Sequence, residues 1–152
     1  MNLDEIDIKI LRELQRDGHQ TMKELGMKVN LSASPTFERV KRLEREGYIS
    51  RYSAIIDPGK INRGFIVFCS VKLRQLSSDI HKEFSEMVKE MPEVTECFNV
   101  SGTMDYLLKI QVADMQSYRD FILNKLGVVP YLSSLESSFV MDSIKSSGEI
   151  NF

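Results

Sequence analysis

The chain has 152 residues, is 42% hydrophobic and carries a formal net charge of −2 at pH 7, a size that admits one ordinary domain or two small ones of ~50 residues or more. The weak negative balance argues against a protein that simply coats nucleic acid, and no window approaches the ~18 apolar residues of a membrane span. Met1 to Lys9 is acidic and amphipathic without a basic leader, so a soluble intracellular chain is expected. Split at residue 63, the charge changes sign: residues 1–63 hold 12 Lys/Arg against 10 Asp/Glu, and residues 64–152 hold 8 against 12. Cys69 and Cys97 lie in apolar, strand-like runs without a metal-spaced partner, which predicts buried reduced thiols, no disulfide and no metal site.

Leu3, Ile6, Ile10, Leu11 and Leu14 recur at helical spacing, predicting a first helix from about Asp4, its N-cap, to Arg16. Asp17-Gly18 stops it. Thr21 with Glu24 three residues on is a capping-box signature for a short second helix whose apolar positions are Met22, Leu25 and Val29. Asn30 tolerates the left-handed turn, Leu31 fills the core and Ser32 caps a third helix, where Pro35 is acceptable in the first turn. Gly26, lacking a Cβ, lets helices two and three approach closely.

Phe37, Val40 and Leu43 mark the expected buried face of helix three. Ser34, Thr36, Glu38, Arg39, Lys41, Arg42 and Arg45 are then largely outward. Charge alone favours a merely solvated face, because Glu38, Glu44 and Glu46 interleave. The punctuation of cap, turn and cap shifts the reading to a helix-turn-helix, motif about 22–41, with helix three in the major groove of double-stranded DNA. Arg39, Lys41 and Arg42 are then expected on phosphates or bases, and Ser34, Pro35 and Thr36 on base edges, with Glu38 on the same face. After Gly47, Tyr48-Ile49 and Tyr52 to Ile56 alternate like a small wing hairpin, with Arg51 at its tip to meet a phosphate. Asp57-Pro58-Gly59 reads as a turn and linker.

In the second half, Phe65, Val67, Cys69, Val71 and Leu73 alternate with Ile66, Phe68, Ser70 and Lys72 as a strand. Ile80, Phe84, Met87, Val88 and Met91 keep helical spacing up to Pro92. Strands follow at 94–100 and 105–112, then a helix from the cap Asp114 through Leu126, closed by Gly127, and a last strand from Tyr131 to Met141. The order βαββαβ makes an α+β, ferredoxin-like unit with both helices on one side of the sheet. Ile66 and Phe68 on the other face predict that a partner sheet covers it, hence at least a homodimer. The turn at Ser101, Gly102, Thr103 and Met104, followed by Asp105, has two readings. It is an ordinary hairpin turn with Asp105 satisfied by nearby amides, which the residues alone favour, or a place where backbone amides meet a carboxylate and Asp105 an ammonium.

Leu3-Asp4 with Asp7, Ile10-Leu11, Leu31-Ser32, Pro35, Arg39-Val40, Arg42-Leu43-Glu44 and Gly47 resemble the DNA-binding half of the Lrp/AsnC (leucine-responsive/asparagine, feast/famine) regulators. Glu96-Cys97, Ser101-Gly102, Asp105-Tyr106-Leu107-Leu108 and Ser137 to Met141 resemble that family's regulation domain. Ala33, Thr36, His19, Tyr131 and Leu135 depart from its common residues. The resemblance implies a winged helix-turn-helix domain at 1–63 and an effector and oligomerisation domain at 64–152. It implies a non-enzymatic, cytoplasmic, nucleoid-associated transcription regulator without cofactor, working as a homodimer that assembles into a tetramer of dimers, an octamer. It shifts the loop reading towards an amino-acid effector bound between dimers by Ser101, Gly102, Thr103, Met104, Asp105, Tyr106 and Ser137. The alternative is an effector-independent architectural DNA-binding protein. An enzyme is disfavoured, since His19 and His81 neighbour no nucleophile motif and there is no phosphate loop.

Overall fold

A computed structural model describes residues 3–75, 77–146 and 148–152. The chain divides into two compact units, Met1–Ile55 with Lys145–Phe152, and Ile56–Ile144.

The first unit is built on three helices: α1 Glu5–Arg16, α2 Met22–Val29 and α3 Ala33–Arg45. Asp4 caps α1 by accepting from the Asp7 amide, and the Asp7 carboxylate accepts from the Asp4 amide in return, a capping box that satisfies two otherwise orphaned donors. Thr21 and Glu24 repeat this device on α2. Asn30, at φ 58° and ψ 44°, ends α2 in the left-handed region, and the Leu31 amide returns to the Gly26 carbonyl at 2.9 Å. Gly47, at φ +80°, closes α3, its own amide bonding the Glu44 carbonyl while the Tyr48 amide bonds that of Leu43, a Schellman arrangement. Ile10, Leu25, Val29, Val40 and Leu43 form the core between the three helices.

Two expectations for this unit change. Residues 48–56 carry no strand, so the hairpin does not form within the chain. An isolated two-stranded ribbon is marginal in water, and Tyr52 instead donates its hydroxyl to Glu44 Oε1 at 3.1 Å. Burial and that bond push the Tyr52 phenol up to about 12. The buried stripe of α3 is Thr36, Val40 and Leu43, whereas Phe37 is 45% exposed. Both stripes fit a helical period. The choice falls to Thr36 because Gly26 passes so close that only a small side chain fits opposite it: a Cβ on Gly26 would stand 3.0 Å from Thr36 Oγ1 and 2.6 Å from the Leu31 carbonyl oxygen.

The second unit runs through β1 Phe65–Leu73, α4 Ser78–Lys89, β2 Val94–Asn99, β3 Tyr106–Val112, α5 Met115–Phe121 and β4 Leu132–Phe139. Every neighbouring pair in the sheet order β2-β3-β1-β4 is antiparallel, which is the ferredoxin-like βαββαβ arrangement. Val67, Cys69, Val71, Leu108 and Ile110 pack with Phe84, Val88 and Phe121 in its core. The helix expected to continue from α5 through Leu126 becomes a π-helical turn over Ile122–Leu126. The Gly127 amide closes it on the Ile122 carbonyl at 2.7 Å, and a Cβ on Gly127 would come within 2.5 Å of that oxygen. Cys69 is buried as expected; Cys97 is exposed, because β2 is an edge strand. Among the described residues no helix is long and apolar enough to cross a membrane, and no cluster of His, Cys, Asp and Glu is placed to hold a metal.

Candidate DNA-binding and effector sites

In the first unit the side chains of α3 sort into two sets. Ser34, Pro35, Glu38 and Lys41 are exposed, as is Arg51 beyond the helix. Thr36 is fully buried and its hydroxyl bonds the Ser32 carbonyl at 2.8 Å, which corrects its expected outward position. Arg39 and Arg42 also differ from the outward reading. Arg39 bonds Asp4 at 2.6 Å and Asp7 at 2.7 Å, and Arg42 bonds Asp7 at 2.5 Å. The Asp7 carboxylate is 1% exposed. A buried acid on α1 therefore ties down α3 through two guanidinium groups. The Asp7 amide, ahead of Arg39, holds the Asp4 carboxyl at about 2.

Sequence reasoning missed Asp7, although its place three residues after an N-cap aspartate is the capping-box spacing. It missed Phe37 because nothing in the sequence shows how close α2 passes. Lys41 stays on the outer face, its ammonium 2.8 Å from Glu44 Oε2 and 5.7 Å from the centre of the Phe37 ring.

In the second unit the chain between β2 and β3 turns at Gly102, φ +124°, a conformation side chains rarely adopt. Ser101, Gly102 and Thr103 are exposed and Met104 is half-buried. The loop closes on Asp105. Its amide bonds the Val71 carbonyl and its own carbonyl takes the Val100 amide and Asn99 Nδ2, each at 2.9 Å. The Asp105 carboxylate accepts from Lys72 Nζ at 2.9 Å and from the Leu73 amide at 2.8 Å. Burial would raise its pKa, but the Leu73 amide and Lys72 outweigh that and hold it below the ordinary aspartate value. Asp105 is thus already satisfied within the unit, by an amide and an ammonium that the sequence did not show adjacent.

Tyr106 and Ser137 are not gathered at this loop's surface. Tyr106 is 1% exposed, its ring 4.4 Å from that of Phe84 and its hydroxyl bonded to His81 Nδ1. Ser137 pairs across the sheet with Cys69 while Tyr106 pairs with Val71 on the opposite side of β1, and its hydroxyl bonds that of Tyr118. Burial raises the Tyr118 phenol to about 12, with the Ser137 bond acting against it.

A three-helix unit with a tight α2–α3 turn, followed by a ferredoxin-like unit with a looped edge, is the architecture of a DNA-binding regulator with an appended ligand-sensing domain. The winged helix-turn-helix DNA-binding family matches residues 3–50, and the Lrp/AsnC ligand binding domain matches residues 66–150. The chain belongs to the Lrp/AsnC family of transcriptional regulators, which are not enzymes. It is 38% identical over 149 residues to the leucine-responsive regulatory protein of Escherichia coli (strain K12), covering 98% of this chain and 91% of that protein. Among solved structures it is similar to the transcriptional regulator NMB0573 of Neisseria meningitidis, solved as a complex with L-Met, at 37% identity and TM-score 0.95 over 99% of this chain and 97% of that one. An AsnC family transcriptional regulator from Agrobacterium tumefaciens is likewise 37% identical, with TM-score 0.93 over 98% of this chain and 97% of that one.

Proposed function

We propose that this regulator takes an apolar L-amino acid of the methionine class at the 101–104 loop and couples its occupancy to DNA binding by α3. The carrying observation is the full-length likeness to a regulator solved with L-Met. Ser101, Gly102, Thr103 and half-buried Met104 are the loop residues free to receive a ligand, the backbone amides taking its carboxylate and Met104 its side chain. Asp105 supports the site from behind by fixing the loop to Lys72 and Leu73.

On the DNA side, Ser34, Pro35 and Glu38 face base edges and Lys41 and Arg51 face phosphates, while Arg39 and Arg42 fix α3 against α1. The functional division falls at residues 1–63 and 64–152. The open sheet face carries Ile66, Phe68, Phe98 and Leu107, with Leu107 opposite both Ser70 and Phe98; its apolar area supports sheet-to-sheet homodimers that assemble further into a tetramer of dimers. A regulator of this kind works in the cytoplasm on the nucleoid.

A thermal-shift panel of the twenty amino acids on the full chain tests the effector, since a ligand selective for the folded protein stabilises it by about 2.7 kcal/mol at 100 times its Kd. A stereospecific shift with L-Met or another apolar amino acid, absent with the D-enantiomer, is expected. A flat panel refutes an amino-acid effector and leaves an architectural DNA-binding protein or an effector of another chemical class.

A further inference from the structure

Beside exposed Ala33 and Pro35, the outward face of the N-terminal part of α3 carries four side chains of unlike chemistry: Ser34, Phe37, Glu38 and Lys41. Their i, i+3, i+4, i+7 spacing puts them on one face, with Phe37 and Glu38 between Ser34 and Lys41. Arg39 and Arg42, which would otherwise dominate this helix, are folded back on Asp7. Phe37 itself is 45% exposed. Met22, Ala33, Ser34, Phe37 and Glu38 line a shallow depression of about 290 Å³. The Lys41 ammonium lies near the ring, 5.7 Å from its centre.

A lone exposed aromatic is unremarkable on most surfaces. On the N-terminal half of a recognition helix it is different, because those residues reach the base edges in the major groove. The donors and acceptors of that groove offer a phenyl ring nothing. The thymine C5-methyl is the apolar group among the base-pair edges there, and Phe is a side chain suited to meet it.

We infer that Phe37 is a specificity-determining residue that reads a thymine methyl in each half-site, with the Met22 and Ala33 side chains completing the apolar seat. The inference rests on the DNA-binding reading of α3. It assigns base discrimination to apolar contact, and it leaves sequence-independent affinity to Lys41 and Arg51.

The test uses the purified full chain. A duplex site is selected from a random pool, and each thymine in it is then replaced singly by deoxyuridine, which pairs identically but lacks the methyl group. Binding is read by fluorescence anisotropy at fixed salt. Wild-type protein is expected to lose about fourfold in affinity at one thymine per half-site, the worth of one buried carbon at ~0.8 kcal/mol. F37A should bind the thymine and uracil duplexes equally, and F37L, which keeps an apolar side chain, should retain the preference. The wild-type scan does not depend on any variant folding. Selective binding with no methyl dependence at any thymine overturns the inference, as does undiminished methyl dependence in F37A. Absence of any selective duplex binding overturns the DNA-binding reading itself, and the inference with it.

Discussion

Replacing Asp7 by alanine should loosen α1 from α3 while leaving the sheet untouched. The Asp7 carboxylate is 1% exposed and accepts three bonds, from the Asp4 amide at 3.1 Å, Arg39 at 2.7 Å and Arg42 at 2.5 Å. Removing one partner of a fully buried ion pair costs about 3–5 kcal/mol. The guanidinium groups here are 27% and 33% exposed, so after truncation each turns partly to water, and Arg39 keeps Asp4. Counting about 1 kcal/mol for each charge-assisted bond and somewhat less for half a capping box, the loss is about 2–3 kcal/mol. Residue-resolved hydrogen exchange on the full chain reads this directly. Amides of α1 and α3 should lose protection by roughly 30- to 150-fold, and those of β1 and β3 should not change. A loss below about threefold in α1 and α3 refutes the reasoning, because it means that the arginines were not held by Asp7 in solution. An equal loss in the sheet refutes it too, since Asp7 has no role there.

Lys41→Ala is expected to flatten the dependence of DNA affinity on salt by about one unit of slope, whereas Arg42→Ala should leave the slope alone and lower stability, its charge being matched by Asp7. Titrating affinity against salt for both variants decides this; a reduced slope in Arg42→Ala returns that residue to the phosphates. Gly26→Ala adds a Cβ 2.6 Å from a backbone oxygen. The clash should outweigh a helix-propensity gain of ~1 kcal/mol and lower stability by about 1–3 kcal/mol in thermal or urea unfolding. Because the folded pKa of Asp105 lies below its unfolded value, its bonds to Leu73 and Lys72 contribute fully above about pH 4 and are lost as pH falls through the folded value. Exchange at the Leu73 amide should therefore accelerate below pH 4, beyond the intrinsic pH dependence, and Asp105→Asn should abolish that extra acceleration. Asp4 behaves with the same sign and a midpoint at about 2, which a carboxyl NMR titration reads.

The helices and strands were largely legible because their signals are local. Thr21 with Glu24 and Asn30 after Val29 mark α2 by cap chemistry alone, and the alternation from Phe65 to Leu73 marks both the existence of β1 and its two faces. The βαββαβ order followed from those elements in sequence. The boundary between α5 and its π-helical turn was not legible, because the composition of Ile122–Leu126 suits an α-helix equally well. What bends it is the Gly127 amide reaching Ile122 where no Cβ fits.

The functional surfaces divide along the same line. By itself the sequence determined the three helices with the tight turn before α3, and the residue types carried by α3 and by the β2–β3 turn, since spacing and caps encode these within a few residues. Tertiary structure alone decided that Thr36 is buried and Phe37 is not, that Arg39 and Arg42 serve Asp7, and that Asp105 is held by Lys72 and Leu73. Each of those outcomes is a contact between residues about 30 positions apart or a close approach of two backbones. A charged side chain takes whichever partner the fold brings within 3 Å, and local pattern carries no record of that distance.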